Sequence, residues 1–331
     1  MTTSSLLPLG GFLGTVLALA TILADPAGAQ ESAPLEKACE TNLRACEIRS
    51  RLSAFEPNYV IWQTTDGDES AIEAHYSVRY MLTRPHCRPG HDMVLKFSLR
   101  DSKKCIKSYD NRLEFFLAYT GEFDFYLNTR ASGPVINRIS NPGIYLRKYF
   151  ADQRFSSLML SLEHRSNGQV TEIDETDSGV LKTQTAFAND NHEYFDGISR
   201  GSNYFELEAK FKPSEVDRLY ASIKKYINQD SAVNWGPTAA NNPKIADYDR
   251  IRLLWTRQMV IFDRQSEFAL EWLIGDRGLE TDSFDIDFMY PISFWGADFP
   301  FFIKYHGGPM NTLSDYTREQ DTLGFGIKLK I

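Results

Sequence analysis

The sequence predicts an all-β fold, a transmembrane antiparallel up-and-down β-barrel of about 12 strands with a short N-terminal periplasmic segment. Three observations predict this fold: an apolar amino end typical of secretory signals, alternation of apolar and polar residues from about residue 57 to the carboxyl terminus, and aromatic residues concentrated on the apolar side of that alternation. A secreted soluble β-sandwich also has alternating strands. The aromatic load and a last strand that reaches the final residue favour the barrel.

Composition limits the function classes. The chain has 331 residues, of which 42% are apolar and 24% charged, so it is long enough for one large domain or two and is not disordered. Its 36 Lys and Arg against 44 Asp and Glu give a formal net charge of −8. The sequence therefore offers no basic surface for nucleic acid, and we expect no nucleic-acid partner.

The amino end carries the one long apolar run, from Leu6 to Ala24, and ends in a small-residue cleavage pattern at 27–29. Residues 1–29 are therefore predicted to be a cleaved signal peptide, although no Lys or Arg precedes the run. The alternative is an uncleaved anchor helix, which needs about 20 unbroken apolar residues. After cleavage, 30–56 form an N-terminal extension with partly helical spacing, and 57–331 form the barrel domain.

All four cysteines lie in the predicted mature chain, and an oxidising compartment permits two disulfides. On a helix over 34–51, Cys39 and Cys46 would lie about 10 Å apart along the axis, too far for a bridge. Either that segment is irregular or these two pair elsewhere. Cys87 and Cys105 flank one strand-like run and could link its ends. A metal site is disfavoured because no Cys-x-x-Cys pair accompanies them.

Period-two alternation marks the strands one after another along the chain. In the clearest run, Phe115, Leu117 and Phe125 share one parity, whereas Glu114 and Asp124 lie on the other. The predicted strands are 57–65, 72–82 or 92–100, 112–128, 143–151, 156–164, 201–211, 217–227, 248–258, 267–274, 282–291, 298–306 and 321–331. The polar residues predicted to face the barrel interior are Glu206, Glu208, Lys210, Asp285, Asp287 and Lys304. We expect them to fill the interior with ion pairs, so that the barrel is a scaffold more than a channel.

Candidate catalytic residues continue the apolar, outward row of two neighbouring strands. His164 and Ser166 lie two residues apart on one face, about 7 Å apart at Cα, which places a base beside a nucleophile. Asn203 shares the outward parity of the next strand, where its amide could hold one imidazole nitrogen and fix the tautomer. The alternative is a set of polar residues at the barrel rim that meet lipid headgroups.

The motifs around these residues resemble the active-site pattern of the outer membrane phospholipase A family, His-x-Ser-Asn-Gly followed by Ser-Arg-x-x-Asn. Here they read HRSNG at 164–168 and SRGSN at 199–203. Further matching segments occur in the same order, so the resemblance spans roughly 55–331. They are PNYVIWQ at 57–63, LAYTGEFDFYLNTRASGPVINRISNPGIYL at 117–146, YPI at 290–292 and YHGGPMNTLSDY at 305–316.

The resemblance implies an integral outer-membrane enzyme that hydrolyses acyl ester bonds of phospholipids and lysophospholipids, a phospholipase A1/A2 that is active as a calcium-bound homodimer. It implies Ser166 as the nucleophile, His164 as the base and Asn203 as the residue that orients His164. The calcium ligands would be the Ser199 hydroxyl and the backbone carbonyl of Gln169, where the family usually has Arg. The partner chain would add a ligand from its 131–134 loop, with Ser132 as the best match.

One segment departs from the family pattern. Thirty residues separate Gly168 from Ser199, and they are rich in Asp and Glu. They are either a solvated outer loop or a source of carboxylates, from Asp190 or Asp196, for the calcium site. The departure also leaves open an alternative function, a catalytically inactive outer-membrane barrel with a structural or transport role.

Overall fold

The structure is a computed structural model in which residues 51–65, 69–83, 112–126, 136–151, 154–169, 176–189, 191–229, 242–294 and 297–329 are described. Several predictions lie outside these ranges: the signal peptide 1–29, most of the 30–56 extension, the four cysteines, the alternative second strand 92–100, Asp190 and Ser132. Among the described residues, no helix combines the length and apolarity needed to cross a membrane.

Thirteen antiparallel strands form one sheet. They are β1 (Leu52–Ala54), β2 (Asn58–Thr65), β3 (Glu69–Met81), β4 (Leu113–Tyr126), β5 (Ile136–Tyr149), β6 (Phe155–Ser166), β7 (Gly201–Phe211), β8 (Asp217–Gln229), β9 (Ile251–Ile261), β10 (Arg264–Gly275), β11 (Gly278–Phe294), β12 (Ala297–Gly308) and β13 (Gln320–Leu329). Strands β2 to β13 pair in chain order, and β13 pairs with β2 to close the ring. The predicted up-and-down barrel of 12 strands is therefore confirmed, and the predicted strand 72–82 corresponds to β3, which ends at Met81.

The sheet begins earlier than the predicted barrel boundary at residue 57. Strand β1 pairs with the end of β3, where Ser53 lies opposite Arg79, beyond the residues of β3 that pair with β2. Strand β5 is also longer than the predicted 143–151, because Pro142 and Gly143 interrupt the sequence pattern but not the pairing with β4. Backbone pairing thus continues through residues whose side chains give no periodic signal.

The two faces of the wall differ as the alternation predicts. On β4, Phe115, Leu117 and Phe125 are exposed on the outside, whereas Glu114 and Asp124 are buried inside. The same exposed apolar row recurs on the neighbouring strands, at Ile144, Leu146, Leu160, Leu162, Phe205, Leu207 and Ile223. Such a belt is the surface that an outer-membrane barrel presents to lipid.

Ion pairs fill the interior. Lys304 Nζ on β12 lies 3.1 Å from Glu73 Oε1 on β3, and Lys328 Nζ on β13 lies 2.7 Å from Glu267 Oε1 on β10. These pairs join strands that are not neighbours in the sheet, so they cross the barrel. Because a buried charge is costly without a partner, the pairing explains how the interior tolerates so many ionisable residues.

Segments between strands pack into one end of the barrel. A 3-10 helix (Ile245–Asp247) and the turn region 309–319 form an apolar cluster with the inward-facing rings of β7 and β8. The cluster comprises Ile139, Tyr204, Tyr226, Ile245, Ala246, Tyr248, Met310, Leu313 and Tyr316. This end is the one at which His164 and Ser166 lie, so the packed segments support the wall behind them.

The acidic segment before Ser199 contains secondary structure that the sequence pattern did not indicate. It folds into α1 (Asp177–Ala188) and α2 (His192–Asp196). Ala186, Phe195 and Ile198 form a buried cluster while Asp177 and Glu193 remain exposed, so the acidic residues solvate one face and the apolar ones pack. The Arg318 guanidinium lies over the Phe187 and Phe195 rings, at 5.6 and 6.0 Å from their centroids, and holds the helices against 309–319.

Candidate active site

Strands β6 and β7 bring the three predicted catalytic residues onto one patch of the outer wall. His164 lies opposite Asn203 in the strand pairing, and Ser166 lies opposite Gly201. His164 is exposed, and Ser166 and Asn203 are half-buried. The patch continues the exposed row of Leu160 and Leu162, because side chains two residues apart on a strand share a face.

The imidazole of His164 is held by the amide of Asn203. Nδ1 of His164 lies 2.8 Å from Oδ1 of Asn203. An amide oxygen only accepts hydrogen bonds, so Nδ1 carries the proton and donates it. In the neutral ring, Nε2 is then the nitrogen without a proton, which is the form that a general base requires.

Ser166 and His164 lie on either side of a small space above Gly201. A Cβ at position 201 would lie 3.9 Å from Cε1 of His164 and 4.0 Å from Cβ of Ser166. Within the described ranges, the Ser166 hydroxyl makes no direct hydrogen bond to the imidazole. Contacts between a nucleophile and its base are often loose without substrate and commonly tighten only when substrate binds.

Asn167 ties the end of β6 to the residues before β7. Its Nδ2 donates to the Ile198 carbonyl over 2.8 Å, and its Oδ1 accepts from the Arg200 backbone N–H over 2.8 Å. The same oxygen accepts from the Gln169 backbone N–H at 3.4 Å. One buried side chain therefore holds Gln169 and the residues on both sides of Ser199. Gly168, at φ +64°, makes the turn that this arrangement needs after Asn167.

Arg200 fixes the residues just before β7 by its contacts with the 309–319 region. It is 2% exposed, its Nε donates to the Ser314 carbonyl over 3.3 Å, and its guanidinium lies 5.8 Å from the centroid of the Tyr316 ring. The position of Ser199 is thus fixed by Asn167 on one side and by the 309–319 region on the other.

Of the predicted calcium ligands that the structure describes, Gln169 is bonded to the Asn167 side chain directly, and Ser199 lies between two residues that are. Their hydroxyl and carbonyl oxygens are hard, neutral donors of the kind calcium accepts, so the donor chemistry fits that ion. Of the two carboxylates considered for this site, Asp190 lies outside the described residues, and Asp196 Oδ1 accepts a 3.4 Å hydrogen bond from Ser314 Oγ. The described residues contain no group of three His, Cys, Asp or Glu placed to hold a metal.

Behind the catalytic patch, the inner face carries a charged cluster. Asp249 Oδ2 lies 2.6 Å from Lys224 Nζ and 3.7 Å from Arg165 Nη1, and it accepts a 3.1 Å hydrogen bond from the Tyr226 hydroxyl. Burial by itself would raise the pKa of Asp249, but Lys224 and Arg165 hold that pKa below its ordinary value. Asp249 therefore remains ionised at the barrel end where the site lies.

Sequence reasoning assigned no role to Asn167 or Asn228. Asn167 lies inside the HRSNG motif, and that motif is the sequence signal that could have identified it. Asn228 lies opposite Asn203, and its Oδ1 is 2.7 Å from Nδ2 of Asn203. The strand pairing shifts between Asn203 and Tyr204, because Tyr204 lies opposite Tyr226 and leaves Ile227 as an extra residue. This bulge breaks the alternation, so periodicity could not assign Asn228 to the outer face.

The fold is similar to solved structures of outer membrane phospholipase A. The enzyme from Escherichia coli matches with a TM-score of 0.55 at 14% identity, over 83% of this chain and 90% of that one. A Salmonella typhi outer membrane phospholipase dimer with bound calcium matches with a TM-score of 0.56 at 14% identity, over 83% and 91%. An active-site mutant of the Escherichia coli protein matches with a TM-score of 0.54 at 15% identity, over 84% and 91%.

The sequence itself matches no family model and no curated protein. At 14–15% identity the structural likeness establishes the fold, which is the fold that the motif resemblance implied.

Proposed function

We propose that this protein is a calcium-dependent outer-membrane hydrolase of phospholipid and lysophospholipid acyl esters, a carboxylic ester hydrolase of the phospholipase A1/A2 type. The observation that carries the proposal is the 2.8 Å hydrogen bond between His164 and Asn203 on the outer wall, beside Ser166. Polar side chains on a wall that faces lipid are costly, so their placement there suggests use. The likeness to outer membrane phospholipase A structures supports the same reaction.

Substrate would reach Ser166 sideways from the bilayer. The exposed side chains of Leu160, Leu162, Phe205 and Leu207 lie on the same outer face, further along β6 and β7 from the barrel end. Acyl chains packed along this row would place the ester at the level of His164 and Ser166, near the headgroups. The interior would serve as a scaffold, since ion pairs cross it.

The chemistry follows from the tautomer of His164. Nε2 takes the proton from Ser166 Oγ as that oxygen attacks the ester carbonyl, and the imidazolium then protonates the leaving lysolipid oxygen. The acyl group is now esterified to Ser166. A water molecule, deprotonated by His164, attacks this ester, and the imidazolium returns the proton to Ser166 Oγ as the bond breaks and the fatty acid leaves. Asn203 accepts the Nδ1–H hydrogen bond throughout and stabilises the imidazolium without adding a carboxylate that lipid would desolvate.

Calcium would be held by the Ser199 hydroxyl and the Gln169 carbonyl, with the partner subunit's Ser132 completing the site in an active homodimer. When bound, the ion supplies positive charge that stabilises the oxyanion formed at the ester carbonyl. Neutral donors bind calcium weakly, so we expect activity to follow calcium concentration at about 10⁻⁴–10⁻³ M. The predicted signal peptide, cleaved near Ala29, accounts for export to the outer membrane.

The test is fatty-acid release from phosphatidylcholine by the refolded protein in detergent micelles, with calcium or with a chelator. Ser166→Ala should lower the rate by about 10⁴-fold or more, and the chelator should abolish it. Ser202→Ala is the matched control, because Ser202 is buried on the opposite face of the wall and its hydroxyl has no hydrogen bond in the described part of the chain. A folded barrel that releases no fatty acid with calcium would instead favour the structural or transport role.

A further inference from the structure

We propose that Asn228 is a positioning residue that fixes which end of the Asn203 amide faces His164, and thereby which imidazole nitrogen is free to act as the base. The inference rests on the proposed function, since it assigns a partner to the residue that orients the proposed base.

Two hydrogen bonds join Asn228 to Asn203. The Asn228 side-chain oxygen accepts from the Asn203 backbone N–H at 3.0 Å and from Asn203 Nδ2 at 2.7 Å. Asn203 supplies both donors and also contacts His164. The three side chains therefore form one chain of hydrogen bonds across β8, β7 and β6.

The backbone N–H fixes the direction of the whole chain. A side-chain amide can be turned by 180° with little change in shape, so its orientation must be set by its partners. A backbone N–H can only donate, and it therefore requires the Asn228 oxygen to face Asn203. That oxygen in turn requires the NH₂ group of Asn203 to face Asn228, which leaves the Asn203 oxygen facing His164.

The β-bulge at Ile227 makes this contact possible. In a regular pairing continued from Tyr204 and Tyr226, residue 227 would lie opposite Asn203. The extra residue instead places Asn228 there, with its side chain exposed beside that of Asn203. The bulge thus supplies an amide acceptor at a position where an apolar residue would otherwise lie.

Loss of Asn228 should release the Asn203 amide. If that amide turns, its NH₂ group faces Nδ1 of His164 and donates to it, so the imidazole proton moves to Nε2. A protonated Nε2 cannot take the Ser166 proton, and the nucleophile loses its base.

Asn228→Ala and Asn228→Asp test the inference, with Ile227→Ala as the matched control. Ile227 is the adjacent bulge residue, 60% exposed, and belongs to no part of the hydrogen-bond chain. Two measurements are made on each folded barrel: the ¹⁵N spectrum of His164, assigned by its loss in His164→Gln, and the rate at which a fluorophosphonate probe labels Ser166.

We expect the parent protein and Ile227→Ala to show the Nδ1–H tautomer and equal labelling rates. Asn228→Ala should show a mixture of tautomers and a labelling rate lowered by about 10- to 100-fold, the range found for residues that orient metal-binding histidines through a hydrogen bond. Asn228→Asp keeps an acceptor of the same shape, so it should restore the Nδ1–H tautomer and most of the labelling.

An Asn228→Ala protein with an unchanged tautomer and labelling rate would overturn the inference, as would an Asn228→Asp protein that behaves like Asn228→Ala. A parent protein that labels at Ser166 but releases no fatty acid would overturn the proposed substrate and leave Asn228 supported. If the parent protein does not label, the proposed catalysis fails, and the tautomer spectrum alone decides for or against Asn228.

Discussion

The outer and inner faces of β6, β7 and β8 are built from different chemistry at the same end of the barrel. Outside, His164, Asn203 and Asn228 are joined by hydrogen bonds of 2.8 and 2.7 Å between uncharged groups. Inside, Lys224 lies 2.6 Å from the carboxylate of Asp249, and Arg165 lies 3.7 Å from it. The outer cluster is therefore held by side-chain amides, and the inner cluster by oppositely charged groups.

The difference follows from what surrounds each face. A charge on a wall that faces lipid has neither water nor a counter-ion, so an amide is the less costly way to hold an imidazole there. Inside the barrel, each charge has an opposite charge within reach, and pairing offsets its desolvation. The comparison teaches that the surroundings of each face decide how its polar groups are held, by hydrogen bonds outside and by ion pairs inside.

The largest expected effect is on the outer face. Asn203→Ala should lower fatty-acid release by about 10²- to 10⁴-fold, because His164 loses the partner that fixes its tautomer. The free energy of unfolding should change by less than about 1.5 kcal/mol, the usual net value of one hydrogen bond. Rate assays and urea unfolding in micelles measure the two quantities. A loss of stability with an intact rate would reverse the assignment of roles.

On the inner face, we expect a substitution to lower the stability strongly and fatty-acid release only weakly. Asp249→Asn leaves Lys224 and Arg165 buried beside a neutral group, and removal of one partner from a buried ion pair typically costs about 3–5 kcal/mol. Urea unfolding should therefore shift strongly, while fatty-acid release per folded molecule should fall much less than in Asn203→Ala. An unchanged unfolding midpoint would show that the inner cluster does not hold the wall together.

The pH dependence of stability sharpens the same contrast. The pKa of Asp249 is lowered in the folded protein, because Lys224 and Arg165 outweigh the effect of burial. Its contribution is therefore complete above the ordinary pKa of Asp, about 4, and is lost as the pH falls through the lowered value. The stability difference between the parent protein and Asp249→Asn should shrink in unfolding curves taken at successively lower pH. A difference that stayed constant to the lowest pH would contradict this account.

The smallest effect is expected for an ion pair at the barrel surface. Asp276, in the turn between β10 and β11, lies 2.5 Å from Arg250, and its side chain is 46% exposed. Hydrogen bonding to Arg250 lowers the pKa of Asp276, as the cations beside Asp249 lower the pKa of that residue. Because water and salt screen the exposed pair, Asp276→Asn should cost at most about 1 kcal/mol in urea unfolding. A cost equal to that of Asp249→Asn would show that burial does not separate the two pairs.

Much of the fold was predictable from local pattern. Alternation of apolar and polar residues located eleven of the twelve barrel strands and left 72–82 and 92–100 as alternatives for the second. It also assigned Phe115 and Leu117 to the outside and Glu114 to the inside, because the side-chain period of a strand is a local property. The same parity placed His164, Ser166 and Asn203 on the outer wall. Their catalytic roles, and those of Ser199, Gln169 and Ser132 toward calcium, remain predictions.

Other features depended on contacts between distant residues. The helices α1 and α2 form where the sequence suggested an acidic loop, because Phe195 and Ile198 pack together and Arg318, from another part of the chain, lies over the Phe195 ring. The bulge that places Asn228 beside Asn203 breaks the periodic signal on which sequence reasoning relied.

The sequence by itself therefore determined the strands, their faces and the row on which the candidate catalytic residues lie. Only the tertiary structure decided the strand register, the tie that Asn167 makes between Gln169 and the residues around Ser199, and the contact of Asn228 with Asn203. The physical reason is that alternation is written within each strand, whereas register and cross-strand hydrogen bonds arise only when two strands meet.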